Sequence, residues 1–330
     1  EVLDNQGLLD MIVNRVDRKQ LRKVAPVSHA TKNAVDRRDV DIPCSSRKKK
    51  TLISRLESTD RKILNLSGCL FASSASPERN EQLLALFNYL NLPSQLQELN
   101  LADNAFGSKD AINLVAVLFI IANCRPRLTA LCLASNKIQR IQPICDALQK
   151  EDASLMTLSL DNNIIDSEGA KSIATALMKN TSLTMIDLGL NHIGTEGIQA
   201  LATALGTNKT LKELWLNHQP LKEMWINHRP GQPFGDAEWK ALADALRVNN
   251  SLTVCSIVGN NISDNVARSL LETVKGKKIS LCGILTGPNA PFHRYWWVGS
   301  TAEDNTVAKF RDLKSGDAIL LGSELSNPSI

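Results

Sequence analysis

The sequence predicts an α/β solenoid, an elongated body in which one strand–turn–helix unit is repeated and stacked. The first observation is the stretch from residue 182 to residue 210. It begins with the alternating pattern Leu-x-x-Ile-x-Leu-x-x-Asn, which ends at Asn191, and continues with apolar residues at helical spacing between Ile198 and Leu205. The second observation is that the unit recurs, with starts at residues 96, 128, 155 and 183 that lie 32, 27 and 28 residues apart. One such unit cannot bury both of its apolar faces, so neighbouring units must stack.

Each strand of the solenoid is predicted from the pattern Leu-x-x-Leu-x-Leu-x-x-Asn. Its apolar side chains are expected to point inward and to stack on their equivalents in neighbouring coils. The closing asparagine can donate and accept hydrogen bonds at once, so we expect it to satisfy backbone groups where the chain turns. Gly107, Gly169 and Gly194 stand where the chain enters a helix, where a residue without Cβ is expected to be least strained. The pattern occurs at Leu96/Leu99/Leu101/Asn104, Leu128/Leu131/Leu133/Asn136, Leu155/Leu158/Leu160/Asn163, Leu183/Ile186/Leu188/Asn191 and Leu252/Cys255/Ile257/Asn260.

This unit resembles the leucine-rich repeat, in particular the ribonuclease-inhibitor-like subfamily found in NLR-type and RanGAP-like proteins. The resemblance is carried by the strand pattern, a length of about 28 residues and the helix ending Ala-x-Ala-Leu-x-x-Asn. It implies a leucine-rich-repeat horseshoe of seven to eight coils over residues 61–285, with an inner parallel β-sheet and outer α-helices. For function it implies a protein-binding module, without indicating which partner, because solenoids bind many different proteins.

Residues 1–40 differ from the repeats and are predicted to form a short helical N-terminal segment. The run from Leu8 to Val35 resembles an F-box through a Leu-Leu-x-x-Ile helix, an Asp-x-x-x-Leu segment and a Val-Ser pair before a third helix. That resemblance implies a Skp1-type adaptor of a ubiquitin ligase as partner. The adaptor-binding residues would be Leu8, Leu9, Ile12 and Val27. The alternative is a helical cap that covers the apolar edge of the first repeat.

Two further segments fall outside the repeat pattern. Residues 41–60 are interpreted as a basic linker and entry segment, with a nuclear-import signal at Arg47–Lys50 as the alternative. Residues 286–330 break the repeat and are predicted to form a divergent C-terminal repeat or cap.

The repeat is interrupted between residues 211 and 239, where two similar ten-residue copies follow each other. LKELWLNHQP (211–220) and LKEMWINHRP (221–230) agree at seven of ten positions. One copy must form the strand and the other must bulge out as a loop, and either register places a tryptophan, Trp215 or Trp225, in mid-strand. The second copy is either a duplication without a role or a tryptophan-bearing loop over a binding surface.

Charge and cysteine usage exclude several function classes. The chain of 330 residues has a formal net charge of +4, but residues 1–62 carry 15 Lys+Arg against 9 Asp+Glu, which leaves −2 for the remainder. The repeats are therefore not expected to bind nucleic acid. Seven cysteines without a Cys-x-x-Cys pair indicate a reducing compartment, and no apolar run is long enough to span a membrane. We therefore predict no membrane association and a cytoplasmic protein, with the nucleus as the alternative.

No catalytic, cofactor-binding or metal-binding motif is recognisable, so we predict a non-enzymatic protein without a cofactor. The residues that alternate with the strand leucines are instead predicted to form a concave protein-binding face. A mid-strand tryptophan with acidic neighbours is typical of an interface anchor for a basic or mixed protein surface. The residues predicted to line it are Trp215, Trp225, Asp187, Asp161, Glu213, Met185, Ser159 and Asn217. Regulation of a small GTPase is a third alternative, implied by the resemblance to RanGAP-like proteins, and the oligomeric state is not predicted.

Overall fold

A computed structural model describes residues 62–68, 96–104, 106, 128–217, 219, 225–226, 229–230, 235–260, 262–282 and 315–325 of the chain. Within these residues a parallel sheet and a row of helices alternate along the sequence, which confirms the predicted α/β solenoid. The assignments for residues 1–40 and 41–60, and for most of 286–330, lie outside the described residues and stay predictions. No helix in the described part of the chain is long and apolar enough to cross a membrane.

Within the described residues the sheet contains seven parallel strands, each three residues long. In the order in which they lie across the sheet, they are β1 (Ile63–Asn65), β2 (Glu98–Asn100), β3 (Ala130–Cys132), β4 (Thr157–Ser159), β5 (Met185–Asp187), β6 (Glu213–Trp215) and β9 (Val254–Ser256). All six pairings are in register, so each central residue, such as Leu158 or Ile186, sits beside its equivalent in the next strand. Equivalent positions of successive repeats therefore form rows across the sheet.

Among the described residues, four helices lie between strands and two follow β9. They are α1 (Gln142–Leu148), α2 (Ser167–Lys179), α3 (Thr195–Thr207), α4 (Asp236–Val248), α5 (Asp264–Val274) and α6 (Ser315–Leu325). At the start of several helices, side-chain oxygens accept hydrogen bonds from backbone N–H groups that have no partner within the helix. Asp166 accepts a hydrogen bond from Gly169 N at 3.0 Å at the start of α2, and the Glu238 carboxylate accepts from Gly235 N at 2.7 Å at the start of α4.

The core lies between the sheet and the helices. The central strand residues are fully buried, and the helices contribute the inward face of the Ala-x-Ala-Leu pattern, for example Ala176 and Leu177 in α2. Trp239 of α4 is the largest fully buried side chain among the described residues. The pattern in the sequence thus separates the core side of each strand from the opposite side, because neighbouring strand residues point to opposite faces.

The asparagine that closes each strand bonds to the backbone of its own and the preceding coil, which confirms the predicted role. Asn191 is fully buried, and its Nδ2 donates to the Leu160 carbonyl of the preceding coil at 2.9 Å. The same Nδ2 donates within its own coil to Leu188 and Gly189 at 3.1 and 3.0 Å. Its Oδ1 accepts from the N–H of Ile165 at 3.0 Å. The same type of backbone contact is made by Asn104, Asn136, Asn163 and Asn260.

A second asparagine ladder joins the helix ends. Asn208, the first residue after α3, donates through Nδ2 to the Leu177 carbonyl of the preceding coil at 2.7 Å. Its Oδ1 accepts from the backbone N–H groups of Thr210 and Leu211 and so turns the chain into the next strand. Asn180 and Asn249 occupy equivalent positions after α2 and α4 and make equivalent contacts.

Lys277 takes the place of the next asparagine in this second ladder. Its Nζ donates to the carbonyls of Leu246, Arg247 and Asn249 at 2.7, 2.6 and 2.9 Å. A cation at the C-terminal end of a helix also interacts favourably with the helix dipole. The ammonium group of Lys277 therefore donates to carbonyls at the end of α4, where the preceding coils use the amide group of an asparagine.

The residue before each closing asparagine adopts a left-handed backbone conformation, a feature that the sequence pattern did not reveal. The φ angles there are +55° at Asp103, +52° at Ser135, +53° at Asn162, +50° at Leu190 and +79° at Gly259. This conformation costs a non-glycine residue about 1–2 kcal/mol. At the helix entrances, by contrast, Gly194 is extended, with φ −83°. Glycine is needed at Gly169 because a Cβ would lie 2.7 Å from Cγ2 of Ile165.

The first of the two ten-residue copies supplies strand β6. Trp215 therefore lies in the sheet, whereas Trp225 belongs to β7 (Trp225–Ile226), which pairs in antiparallel fashion with β8 (Arg229–Pro230) in a separate two-stranded unit. Trp225 would line the face of the main sheet only if the second copy formed the strand. Because the first copy forms it, Trp225 does not lie in the main sheet. Gln219 replaces the closing asparagine of this coil: its Oε1 accepts from Ile193 N at 3.2 Å and its Nε2 donates to Leu188 at 2.8 Å.

Helix α6 packs against α5 at the C-terminal end of the described repeats. Its buried Asp317 accepts a hydrogen bond from Gly259 N at 3.0 Å. In earlier coils the equivalent N–H, such as that of Leu190, donates to a carbonyl of the following coil. Ser280 forms an isolated parallel bridge with Val254 beside β9. In the coil of β9 a carboxylate thus stands in the position where, in earlier coils, the following coil supplies a carbonyl.

Candidate protein-binding face

The face of the main sheet opposite the helices, called here the open face, is the surface that the sequence predicts as concave. It is formed by the first and third residue of each strand and by the residue two positions further on. Because the strands are in register, these residues form three parallel rows. The backbone beneath them is held by the strand pairing and by the first asparagine ladder, so the side chains project from a continuous hydrogen-bonded support.

The open face is acidic along the described strands. It carries the carboxylates Glu98, Asp161, Asp187 and Glu213, and none of its described residues is a lysine or an arginine. Half-burial raises the pKa of Glu98 above its ordinary value, because desolvation disfavours the charged form. The face therefore offers a partner several hydrogen-bond acceptors with negative charge.

Two of these carboxylates converge over Gly189. A Cβ placed on Gly189 would lie 2.8 Å from Oδ1 of Asp161, 3.2 Å from Oδ1 of Asp187 and 3.4 Å from the backbone oxygen of Asn217. Asp187 Oδ1 also accepts from the Gly189 N–H at 2.9 Å, which orients the carboxylate. The missing side chain therefore leaves a small notch that is lined by oxygen atoms.

Trp215 lies beside this notch, in the neighbouring strand. It pairs with Asp187 of β5 on one side and with Ser256 of β9 on the other. Its indole Nε1 donates to Oε2 of Glu213 at 3.2 Å, so the ring and the carboxylate are held together. Both side chains are partly exposed.

Comparison with known proteins identifies the repeated unit. A sequence-family profile described as "Leucine Rich repeat" matches residues 94–115, 152–174 and 179–202, which span strands β2, β4 and β5. The solenoid is built from leucine-rich repeats. No curated protein matches the chain in a sequence search.

Solved structures similar to this leucine-rich-repeat chain have low sequence identity to it. "Leiomodin-1 Actin-Binding Site 2" is 21% identical, covering 52% of this chain and 90% of that one, with a TM-score of 0.37. The tropomodulin C-terminal domain of Caenorhabditis elegans is 21% identical, covering 49% and 93%, with a TM-score of 0.36. The leucine-rich-repeat-containing protein LegL7 of Legionella pneumophila is 21% identical, covering 70% and 69%, with a TM-score of 0.43. The ribonuclease-inhibitor-like subtype and the F-box resemblance stay predictions.

The leucine-rich-repeat sheet places most of the predicted partner-binding residues on the open face, but with unequal exposure. Asp161, Glu213, Trp215 and Asn217 are partly exposed. Ser159, Met185 and Asp187 retain only 8, 4 and 6% of their surface. These three form the floor of the face, whereas the first four present most of its accessible surface.

Two residues next to Trp215 carry buried oxygen atoms whose lack of hydrogen-bond partners could not be predicted from the sequence. The side-chain oxygen of Asn217, two residues along the strand direction, and the hydroxyl of Ser256, in the adjacent strand, are both buried without a hydrogen-bond partner in the described part of the chain. Ser256 is fully buried. Their positions on the face follow from the repeat, but whether they are paired depends on the packing around them.

Three cysteine thiols in and around the face are buried. Cys132 lies in β3, and burial raises the pKa of its thiol to about 12, with further contributions from the charges of Asp187 and Asp161. Burial likewise raises the pKa values of the Cys145 and Cys255 thiols to about 12. These cysteines are free and act as small apolar side chains of the repeat.

The remaining predicted site residues fall elsewhere. Leu8, Leu9, Ile12 and Val27, predicted to bind an adaptor, lie outside the described residues. Trp225 is described only as part of the separate hairpin. Among the described residues, no group of three histidine, cysteine, aspartate or glutamate side chains is arranged to hold a metal ion.

Proposed function

We propose that this protein is a non-catalytic recognition module that binds a basic surface of a partner protein through its open face. The observation that carries the proposal is the group of carboxylates around Trp215, in which Glu213, Asp187 and Asp161 lie in different rows of the same face. Aromatic residues are enriched among the residues that contribute most to binding at the centres of protein interfaces. Leucine-rich repeats provide the extended surface on which such a group can contact a folded partner or a peptide.

The negative charge of the open face also supports the proposal. The partly exposed carboxylates Asp161 and Glu213 lie on the same side of the sheet as Asp187, so their fields add rather than cancel. A surface of one sign accelerates association with a partner of opposite sign and disfavours partners of like charge. We therefore expect binding to weaken as the salt concentration rises, because ions screen charges separated by more than about 10 Å at 0.1 M.

The test is affinity capture from a lysate of the source organism, with captured proteins identified by mass spectrometry. The wild-type chain is compared with an open-face triple variant, Asp161→Asn/Asp187→Asn/Glu213→Gln, which removes three charges and preserves side-chain shape. The matched control removes three charges from exposed positions on the outer helices, Glu168→Gln/Asp244→Asn/Glu272→Gln. Exposed ion pairs contribute little to stability, so the control is expected to fold normally.

A partner that is lost with the open-face variant and retained by the control supports the proposal. The proposal is refuted if both triple variants capture the same proteins as the wild type at low and at high salt. Circular dichroism of the purified variants establishes that lost binding does not reflect lost folding.

The F-box-type substrate receptor is the second candidate, and it rests on the pattern between Leu8 and Val35. Its discriminating experiment is a deletion of residues 1–45 in the same capture assay. If a Skp1-type adaptor is captured by the full chain and lost with the deletion, the open face would hold the substrate of a ubiquitin ligase. If the adaptor is captured by neither, the N-terminal segment is only a cap.

The compartment is proposed on the state of the cysteines. Cys132, Cys145 and Cys255 are buried as free thiols in the described part of the chain. Such cysteines fit a reducing environment, in which thiols are not paired. We infer that the protein works in the cytoplasm or the nucleus.

A further inference from the structure

Strand β6 presents an indole ring and a carboxylate as one unit on the open face. The hydrogen bond of 3.2 Å from Trp215 Nε1 to Glu213 Oε2 fixes the ring relative to the carboxylate. The two side chains lie on the same side of the strand because they are two residues apart. A ligand that contacts the ring therefore meets the carboxylate as well.

The surroundings of this pair contain further hydrogen-bond acceptors. Asp187 lies beside Trp215 in β5, about 4.8 Å away at the backbone as in any sheet. On the other side lies Ser256, whose fully buried hydroxyl has no hydrogen-bond partner in the described part of the chain. The buried side-chain oxygen of Asn217 likewise has no partner there. Buried polar atoms are nearly always hydrogen-bonded in native proteins, so two such oxygens around one ring point to a ligand rich in donors.

We propose that the partner places an arginine side chain on Trp215, with its guanidinium group between Glu213 and Asp187. This inference rests on the proposed function and specifies the chemistry of the partner. A guanidinium group is planar, stacks on aromatic rings, and presents five N–H donors in a fixed fork. It can thus stack on the indole while donating to the carboxylates on either side of the ring.

Other donors fit this site less well. The lysine ammonium is a compact, strongly hydrated point charge that pairs with one carboxylate without stacking. A neutral amide, as in asparagine or citrulline, supplies donors but no charge for the acidic surroundings. The site therefore distinguishes arginine from lysine as well as positive from neutral ligands.

The experiment uses the full chain and three defined probes. They are the peptides acetyl-Gly-Arg-Gly-Arg-Gly-amide, its lysine analogue and its citrulline analogue. The chain contains five tryptophans, so indole N–H signals in nitrogen-15 spectra resolve the site, and the Trp215→Phe variant assigns the Trp215 signal. Affinity is measured from the titration of that signal at constant ionic strength.

We expect the arginine peptide to shift the Trp215 signal and to bind about tenfold more tightly than the lysine peptide, in line with cation–π contacts at a partly desolvated ring. The citrulline peptide should bind more weakly still. In Glu213→Gln, which keeps an oxygen for the indole N–H, affinity for the arginine peptide should fall by about tenfold. Trp215→Leu should remove the preference for arginine, which is then followed on other face signals. The outer-helix triple variant should bind like the wild type.

Two results separate the arginine inference from the general proposal. If the lysine and arginine peptides bind equally and both are weakened by the open-face triple variant, the arginine inference is overturned while the acidic binding face stands. If neither peptide responds to that variant, both proposals fail. A preference for arginine that survives Trp215→Leu in a folded protein also overturns the inference, because the ring would then not be the site.

Discussion

The first asparagine ladder gives the sharpest quantitative prediction, and Asn191 is the position at which to test it. Replacement of Asn191 by alanine removes every side-chain hydrogen bond of this fully buried residue. The three carbonyls that it contacts each retain another donor: Asn163 Nδ2 for Leu160, Gln219 Nε2 for Leu188, and Asn162 N for Gly189. The N–H of Ile165, in contrast, has no other acceptor in the described part of the chain.

The magnitude follows from this inventory. An orphaned buried N–H costs about 1–3 kcal/mol, and each net hydrogen bond lost elsewhere costs about 0.5–1.5 kcal/mol. The carbonyls lose only one of two donors, so we count a single bond for all three together. The expected decrease in the free energy of unfolding of Asn191→Ala is therefore about 3 kcal/mol.

The assay is equilibrium unfolding in urea, followed by far-ultraviolet circular dichroism. Asn191→Leu separates polar from steric effects, because leucine restores volume but no acceptor, and it should lose nearly as much stability as alanine. The matched control is Asn250→Ala at an exposed position after α4, which should change stability by less than about 0.5 kcal/mol. A loss below about 1 kcal/mol for Asn191→Ala, or full recovery with leucine, would refute the assignment of this energy to the ladder.

Three further predictions concern other features of the solenoid. Lys277→Met should lower the free energy of unfolding by about 2 kcal/mol, because three carbonyls lose a charged donor. The control Lys275→Met, at an exposed position, should change it by less than about 0.5 kcal/mol. Urea unfolding of both variants provides the measurement. Gly259→Ala should destabilise the protein by about 1 kcal/mol, because the φ angle of Gly259 is +79°. Gly206→Ala should stabilise it by about 0.5–1 kcal/mol, because Gly206 lies in α3 with open space around the new Cβ. If both variants shift the thermal unfolding temperature in the same direction, this reasoning is contradicted. Burial lowers the pKa of His192, whose Nδ1 has no hydrogen-bond partner in the described residues. The unfolded chain therefore binds the proton more tightly, and the stability falls as the pH drops below the unfolded pKa of about 6.5. His192→Gln should flatten this decline between pH 7 and pH 5 in thermal unfolding, and an unchanged slope would exclude His192 as its source.

Much of the fold could be predicted from the sequence because the repeat encodes both faces of every strand. A leucine at a central strand position, such as Leu158 or Leu214, can only point toward the helices, and its neighbours must then lie on the open face. The hydrogen bonds of the closing asparagine could also be predicted, because its amide group can both donate to backbone carbonyls and accept from backbone N–H groups where the chain turns. These inferences depend on local spacing alone.

The remaining features depend on contacts that spacing does not encode. The choice between the two copies after residue 210 depends on which one aligns with β5 and β9, and both copies offer a nearly identical strand. Lys277 does not match the asparagine pattern, and its role requires three carbonyls from a helix some thirty residues earlier to converge on one ammonium group. The exposure of Trp215 and the burial of Ser256 likewise depend on packing between strands.

The carboxylate of Asp317 has a consequence for how copies of the chain meet. The edge of a parallel sheet is a template on which another strand can grow, and a repeated unit whose two ends match could add head to tail into an open filament. In the coil of β9 the N–H of Gly259, which a following coil would otherwise engage, already donates to Asp317. At that point an incoming copy would have to displace a buried carboxylate before it could use this N–H. Helix α6 thus occupies, at Gly259, the position that the backbone of an added coil would need.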